Sequence, residues 1–165
     1  MKSADLRAAL LGQLAFLIDE IEALKMVIDR APAPVLEAHL PGDALSVKET
    51  YGLLAALDEA VYLPRLRRMT TDDDPTFDPV DEAALAEQGG WNEQPIGPIL
   101  ERVQDARRDL LAFLRALPAE AWLRTGRFGE QRRDVYGLAH SITQHDVDLL
   151  RAVGYRLNES NLFTK

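Results

Sequence analysis

The chain has three histidines and no cysteine, which removes thiolate ligands, cysteine nucleophiles and disulfides from its chemistry. Two of the histidines, His140 and His145, fall in the stretch RRDVYGLAHSITQHDVDLLRAV. Five residues of helix correspond to about 500° of turn, so the two imidazoles lie about 140° apart around the axis. They cannot share one ion from one face, as an i, i+4 pair can. His140 instead forms an i, i+4, i+8 row with Gln144 and Asp148, off the apolar stripe and expected to face solvent or a neighbouring subunit. His145 sits within the stripe made by Val135, Leu138, Ile142, Leu149 and Val153, three residues after Ile142 and four before Leu149. It is expected to face the interior. His39, in EAHLPGD between proline-rich turns, is expected on the surface.

Long helices must position these groups. Leu10, Leu14, Leu17, Ile18, Ile21, Leu24 and Ile28 recur with helical period from Ala4 to about Arg30, where APAP stops the helix by removing a donor and crowding the preceding turn. A second helix starts at SVKE, in which Ser46 and Glu49 have the spacing of a capping box, and continues inward through Leu54, Leu57, Val61 and Met69. The acidic, proline-rich stretch TTDDDPTFDPVDEAALAEQGGWNEQP reads as a long crossover with a short helix over Val80 to Glu87. A third helix runs from about Ile96 to Leu117, LPAEAW supplies a turn carrying Trp122, and the fourth helix runs from near Asp134 to near Arg156. No alternation of apolar and polar residues is long enough to predict a sheet. The expectation is an all-α, four-helix bundle forming one domain over 1–165, with the long crossover between its second and third helices.

Composition narrows the function classes. At 47% hydrophobic and 28% charged, with no near-continuous apolar run of about 18 residues or more, the chain reads as a globular protein that does not span a membrane. The first 25 residues read as a helix and not as an export signal, so the expected location is cytoplasmic. A net charge of -8 disfavours nonspecific binding to nucleic acid. The arginine clusters in PRLRRM and EQRRD have acidic neighbours and read as solvated surface.

The stretches SVKETYGLLAALDEAVYLPRLRRM, PILERVQDARRDLLAFLRALPAEAWLRTGRF and DVYGLAHSITQHD, in this order and spacing, make the chain resemble the DinB/YfiT-like superfamily of bacterial four-helix-bundle proteins. That resemblance implies an up, up, down, down bundle, frequently dimeric. In many members it implies a divalent ion held by three histidines, one on the second helix and an H-x-x-x-H pair on the fourth. Seven residues on from Ser46 stands Leu53. Aligning on the HD dipeptide gives His145 and then Leu149 for the fourth-helix pair, so His145 is the single ligand kept. A one-residue shift would offer His140 and Gln144 but would take Val135 and Ile142 out of register. A carboxylate from Glu49, Asp58 or Glu59 could rebuild a site at His145; otherwise these acids are expected in solvent or paired with the arginines of PRLRRM.

Two functions follow from the resemblance. The first is a noncatalytic binding or stress-response module that has lost the metal, with no cofactor, whose pocket is lined by Leu53, His145 and Leu149 and covered by Trp91 and Phe128. Its ligand would be a small apolar molecule or a low-molecular-weight thiol. The alternative is a metal-dependent thiol S-transferase of the bacillithiol or mycothiol type, or a hydrolase, with Zn²⁺, Ni²⁺ or Mn²⁺ in a site rebuilt around His145. A pocket filled by its own side chains would leave His145 bonded to Thr50 or Tyr51. Trp91 and Trp122, which each follow turn residues, read as loop anchors ahead of ligand stackers. An enzyme predicts a cleft at His145 with a further polar group converging on it, and a binding module predicts the cleft alone. A homodimer is expected, with Leu11, Phe16, Leu63 and Leu66 widening the apolar faces.

Overall fold

The computed structural model describes residues 3–39, 42 and 45–159. Part of the EAHLPGD loop and both ends of the expected 1–165 domain lie outside the described residues. Helix α1 spans Ala4–Ile28, capped by the Ser3 hydroxyl, which accepts from the Leu6 amide at 3.2 Å. A short α2, Ala33–Glu37, starts within the prolines, with Pro32 at its N-cap and Pro34 in its first turn. The second long helix is α3, Val47–Leu57, a π turn over Asp58–Tyr62, and α4, Leu63–Thr71. Ser46 and Glu49 close the capping box, each accepting from the other's backbone amide at 3.1 Å. The crossover carries α5, Glu82–Gln88, and a 3₁₀ turn at Trp91–Glu93. Helices α6, Ile96–Ala116, and α7, Val135–Glu159, complete the bundle.

Helix direction is read from which residues meet in the core. At one end, Leu17, Ile21 and Ile28 of α1 pack with Tyr51 and Leu54 of α3, Ile99 and Val103 of α6, and Val153 and Leu157 of α7. At the other, Leu10 and Leu14 meet Leu66 and Met69, Leu110 and Leu114, and Leu138 and Ile142. The bundle therefore runs up, down, down, up, with α1 parallel to α7. This corrects the expected up, up, down, down order: two consecutive parallel helices need a link as long as the bundle, and the long link joins the second and third.

The sequence hid one further element. Strands β2, Thr125–Phe128, and β3, Gln131–Asp134, form an antiparallel hairpin, and β1, Thr76–Phe77, pairs parallel with β2. Strands of two and four residues leave no alternation to detect. Gly129, with φ of 63°, takes the first position of the two-residue loop, where the backbone favours glycine. Asp74 fastens this corner by accepting from Thr125 Oγ1 at 2.8 Å, Arg127 Nε at 2.8 Å and Arg132 Nε at 3.1 Å.

The expected dimer faces also change. Leu63 and Leu66 are buried in the molecule's own core, because the π turn and α4 continue the inward stripe, whereas Phe16 remains exposed. Among the described residues no helix is long and apolar enough to cross a membrane.

Candidate functional site

The bundle's middle is charged. Arg107 of α6 is fully buried, and all five of its donor hydrogens are engaged. Its Nε and Nη2 donate to Asp58 at 2.7 and 3.2 Å, its Nη1 and Nη2 to Asp146 at 2.7 and 3.0 Å, and its Nη1 also to the Leu14 carbonyl at 3.1 Å. Burial opposes the guanidinium's charge, but Asp58 and then Asp146 outweigh it and push the Arg107 pKa up. The arginine is thus locked in its charged form. This corrects the expectation for Asp58, which is buried and pairs with Arg107 instead of being solvated or serving PRLRRM; Glu59 is exposed as expected and takes a two-nitrogen contact from Arg102.

The sequence did contain a signal for this centre. Arg107 lies four residues after Val103 and three before Leu110, Asp146 four after Ile142 and three before Leu149, and Asp58 four after Leu54 and three before Val61. Each charged side chain occupies a slot in an apolar stripe. On α7 the deep slot belongs to Asp146, whose residue is 7% exposed, and His145 sits beside it at the edge of the stripe with its side chain 29% exposed.

That edge opens into a cavity of about 470 Å³ between the start of α3, α5 and α7. Leu53, His145 and Leu149 line it together, with Leu45 and Ala83 completing the apolar wall. Three carboxylates, Glu49, Glu82 and Glu87, and a second imidazole, His39, line it as well. His145 does not reach Thr50 or Tyr51. Its Nε2 contacts Oε1 of Glu82, the first residue of α5, because the crossover helix lies over that edge of α7. The Glu82 contact is the main reason the His145 pKa is raised, with burial opposing and the charges of Glu82, Asp146 and Asp148 adding to the rise.

His39 makes a matching contact, its Nε2 on Oε1 of Glu49. Burial would raise the Glu49 carboxyl, but the Ser46 amide and His39 together hold it below the ordinary range. Glu49 therefore serves the capping box and the cavity at once, and it also accepts from Asn92 Nδ2 at 3.2 Å. His140, Gln144 and Asp148 are exposed, with His140 stacked on Tyr136.

Trp91 and Phe128 do not line this cavity. Trp91 is buried in the core, its indole against Gly52 and Gly89, where an added Cβ would come within 2.1 Å of the ring. Arg102 lies over it, 5.1 Å from the ring centre. The indole pins the crossover onto α3 and leaves no freedom for a lid. Phe128 stacks against Phe77 in the small sheet at the other end of the bundle, with ring centres 5.1 Å apart.

Three facing metal donors are not available where the resemblance implies them. Leucine has no lone pair, so of Leu53, His145 and Leu149 only one can bind an ion. Among the described residues, no three His, Cys, Asp or Glu side chains converge as a metal-ligand group.

A four-helix bundle with a parallel second and third helix, and a cavity between its second and fourth helices and the crossover that links the second to the third, defines the class of protein. Residues 17–148 match the DinB superfamily, and the chain belongs to that family. Among solved structures it is similar to YfiT from Bacillus subtilis, with a TM-score of 0.71 at 19% identity over 93% of this chain and 91% of that one. YfiT is described as a probable metal-dependent hydrolase with an unusual four-helix bundle topology. The likeness carries the fold. No curated protein matches the sequence.

Proposed function

We propose that this DinB-superfamily protein has lost the three-histidine metal centre and uses the same cavity as a small-molecule site, in which His145 and Glu82 handle a proton. One observation carries the reading: the cavity is open, and the one family-position imidazole is held by a carboxylate from the crossover while the other two positions are leucines. The donor set does not fit an imidazole-held ion. It fits an acid–base pair.

Glu82 accepts from Nε2–H of His145, which leaves Nδ1 as the acceptor in the neutral ring and stabilises the imidazolium when the ring takes a proton. An imidazole so supported can accept a proton from a water or hydroxyl, or return one to a leaving group, near neutral pH. Leu53 and Leu149 supply the apolar wall against which a ligand is held. Hydrolysis by an activated water is the reaction class nearest to the description of YfiT, and here it would run without an ion. The apolar wall equally favours a second reading, in which the cavity binds its ligand and releases it unchanged.

Metal content by plasma mass spectrometry tests the proposal. Protein purified without a histidine tag or chelator, then challenged with Zn²⁺, Ni²⁺ and Mn²⁺, is expected to hold no stoichiometric ion. Stoichiometric metal in the wild type that disappears in His145→Ala would overturn it. Turnover of activated esters by metal-free protein, lost in both His145→Ala and Glu82→Gln, separates the catalytic reading from the binding one.

A further inference from the structure

We infer that the cavity at His145 selects a small cation with an apolar body, such as a primary alkylammonium, over neutral or anionic molecules of the same size. The inference rests on the reading that this cavity takes a ligand, and it names the chemistry of that ligand. The volume of about 470 Å³ lies in the range of small-molecule sites.

The charge of the lining decides the class. Glu49, Glu82 and Glu87 face two imidazoles, and neither Lys nor Arg is among the described residues lining the cavity. His39 is matched by Glu49 and His145 by Glu82, so Glu87 is the carboxylate left over. With the carboxylates ionised, two protonated imidazoles still leave an excess of one negative charge, and two neutral ones leave three. The cavity is thus negative whichever way the histidines titrate. The chain's net charge of -8 extends the same sign outward and draws cations toward the mouth.

An ammonium group brings three donors and no acceptor, which suits a rim of carboxylate oxygens. Its alkyl body suits the wall made by Leu45, Leu53 and Leu149. A carboxylate or phosphate of the same length meets like charge at that rim and no lysine or arginine to offset it. Thiols bearing carboxylate groups are disfavoured on the same ground.

The test is binding of n-hexylammonium, n-hexanol and hexanoate to the full chain at pH 7.5, followed by titration calorimetry and ligand-observed NMR. Hexylammonium is expected to bind about tenfold more tightly than either of the others, a preference that shrinks with added salt. Glu87→Gln, at an exposed site on α5, should reduce the preference. Ala83→Trp, also exposed, should fill the cavity and abolish binding. Equal or tighter binding of hexanol or hexanoate, lost in Ala83→Trp, would overturn the charge inference and leave the cavity reading standing. Binding of hexylammonium that persists in Ala83→Trp would assign it to the acidic surface and overturn the inference. Failure of all three probes to bind would overturn the inference and the cavity reading together.

Discussion

Two clusters of ionised side chains lie one residue apart on α7 and do opposite work. Asp146 joins the buried centre on Arg107, where every donor of the guanidinium has a partner and the arginine itself is fully buried, although the outer side of Asp146 lines a cavity of about 530 Å³ between α1 and α7. His145 joins a rim where the imidazole has one carboxylate partner and a cavity beside it. Both contain charge-assisted contacts. Complete satisfaction of a fully buried guanidinium makes the first a structural lock, whereas partial satisfaction of a part-exposed imidazole leaves the second with capacity for a ligand or a proton.

The largest expected effect falls on the lock. Arg107→Ala should cost about 3–5 kcal/mol in urea unfolding, because it strands two buried carboxylates. If the centre is held by mutual compensation and not by any one group, the triple variant Arg107→Met, Asp58→Leu, Asp146→Leu should recover much of that loss. A triple variant no more stable than the single one would show that the trio contributes more than compensation.

Gly52→Ala comes next. Its methyl would displace the Trp91 indole, and overpacking of this kind costs about 1–3 kcal/mol by thermal or chemical denaturation. At the rim, His145→Ala should change unfolding free energy by no more than about 1 kcal/mol, the scale of a partly exposed ion pair, while removing ligand binding or turnover. A loss as large as that of Arg107→Ala would erase the distinction between the two clusters.

The smallest effect is a titration. Folding raises the His145 pKa above its ordinary 6.5, so the contact with Glu82 contributes fully below pH 6.5 and its contribution is lost as pH rises through the raised value. Proton NMR should find the His145 ring titrating above 6.5 in the wild type and lower in Glu82→Gln. Hydrogen-exchange protection in α5, taken relative to the intrinsic rate at each pH, should fall over the same rise in pH, since Glu82 is the first residue of that helix. An unchanged ring pKa in Glu82→Gln would mean that the carboxylate does not hold the imidazole.

Much of the fold was legible. Apolar residues at helical period marked all four long helices, because that period is the condition for burying one face of each. The spacing of Ser46 and Glu49 marked a helix start, since a capping box is local chemistry. The three-strand corner was not legible, because short strands carry no period. Trp91, beside turn residues, read both as a loop anchor and as a pocket lid, and only its packing against Gly52 and Gly89 separates the two.

The site divides in the same way. Placing His145 between Ile142 and Leu149 on α7, with Leu53 and Leu149 where the resemblance implies ligands, needed only counting along the chain, but counting set it within the stripe and the structure sets it at the edge. Reading which of two neighbours goes deep did not follow from counting, since positions 145 and 146 both fit between Ile142 and Leu149. The arginine settled it. Arg107 projects from α6 into the middle of the bundle and draws in Asp146 and Asp58 from two other helices.

The sequence by itself determined the helices, their apolar faces and the chemical types available near His145, because propensity, period and donor identity are local properties. Only the tertiary structure decided that Glu82 and His39, from segments outside the long helices, meet the rim of one cavity, and that Asp58, Arg107 and Asp146 form one buried centre. The contacts of Arg107 with Asp58 and Asp146 and of His145 with Glu82 span 39 to 63 residues of chain and depend on how helices are ordered and how the crossover lies over them, which no local signal encodes.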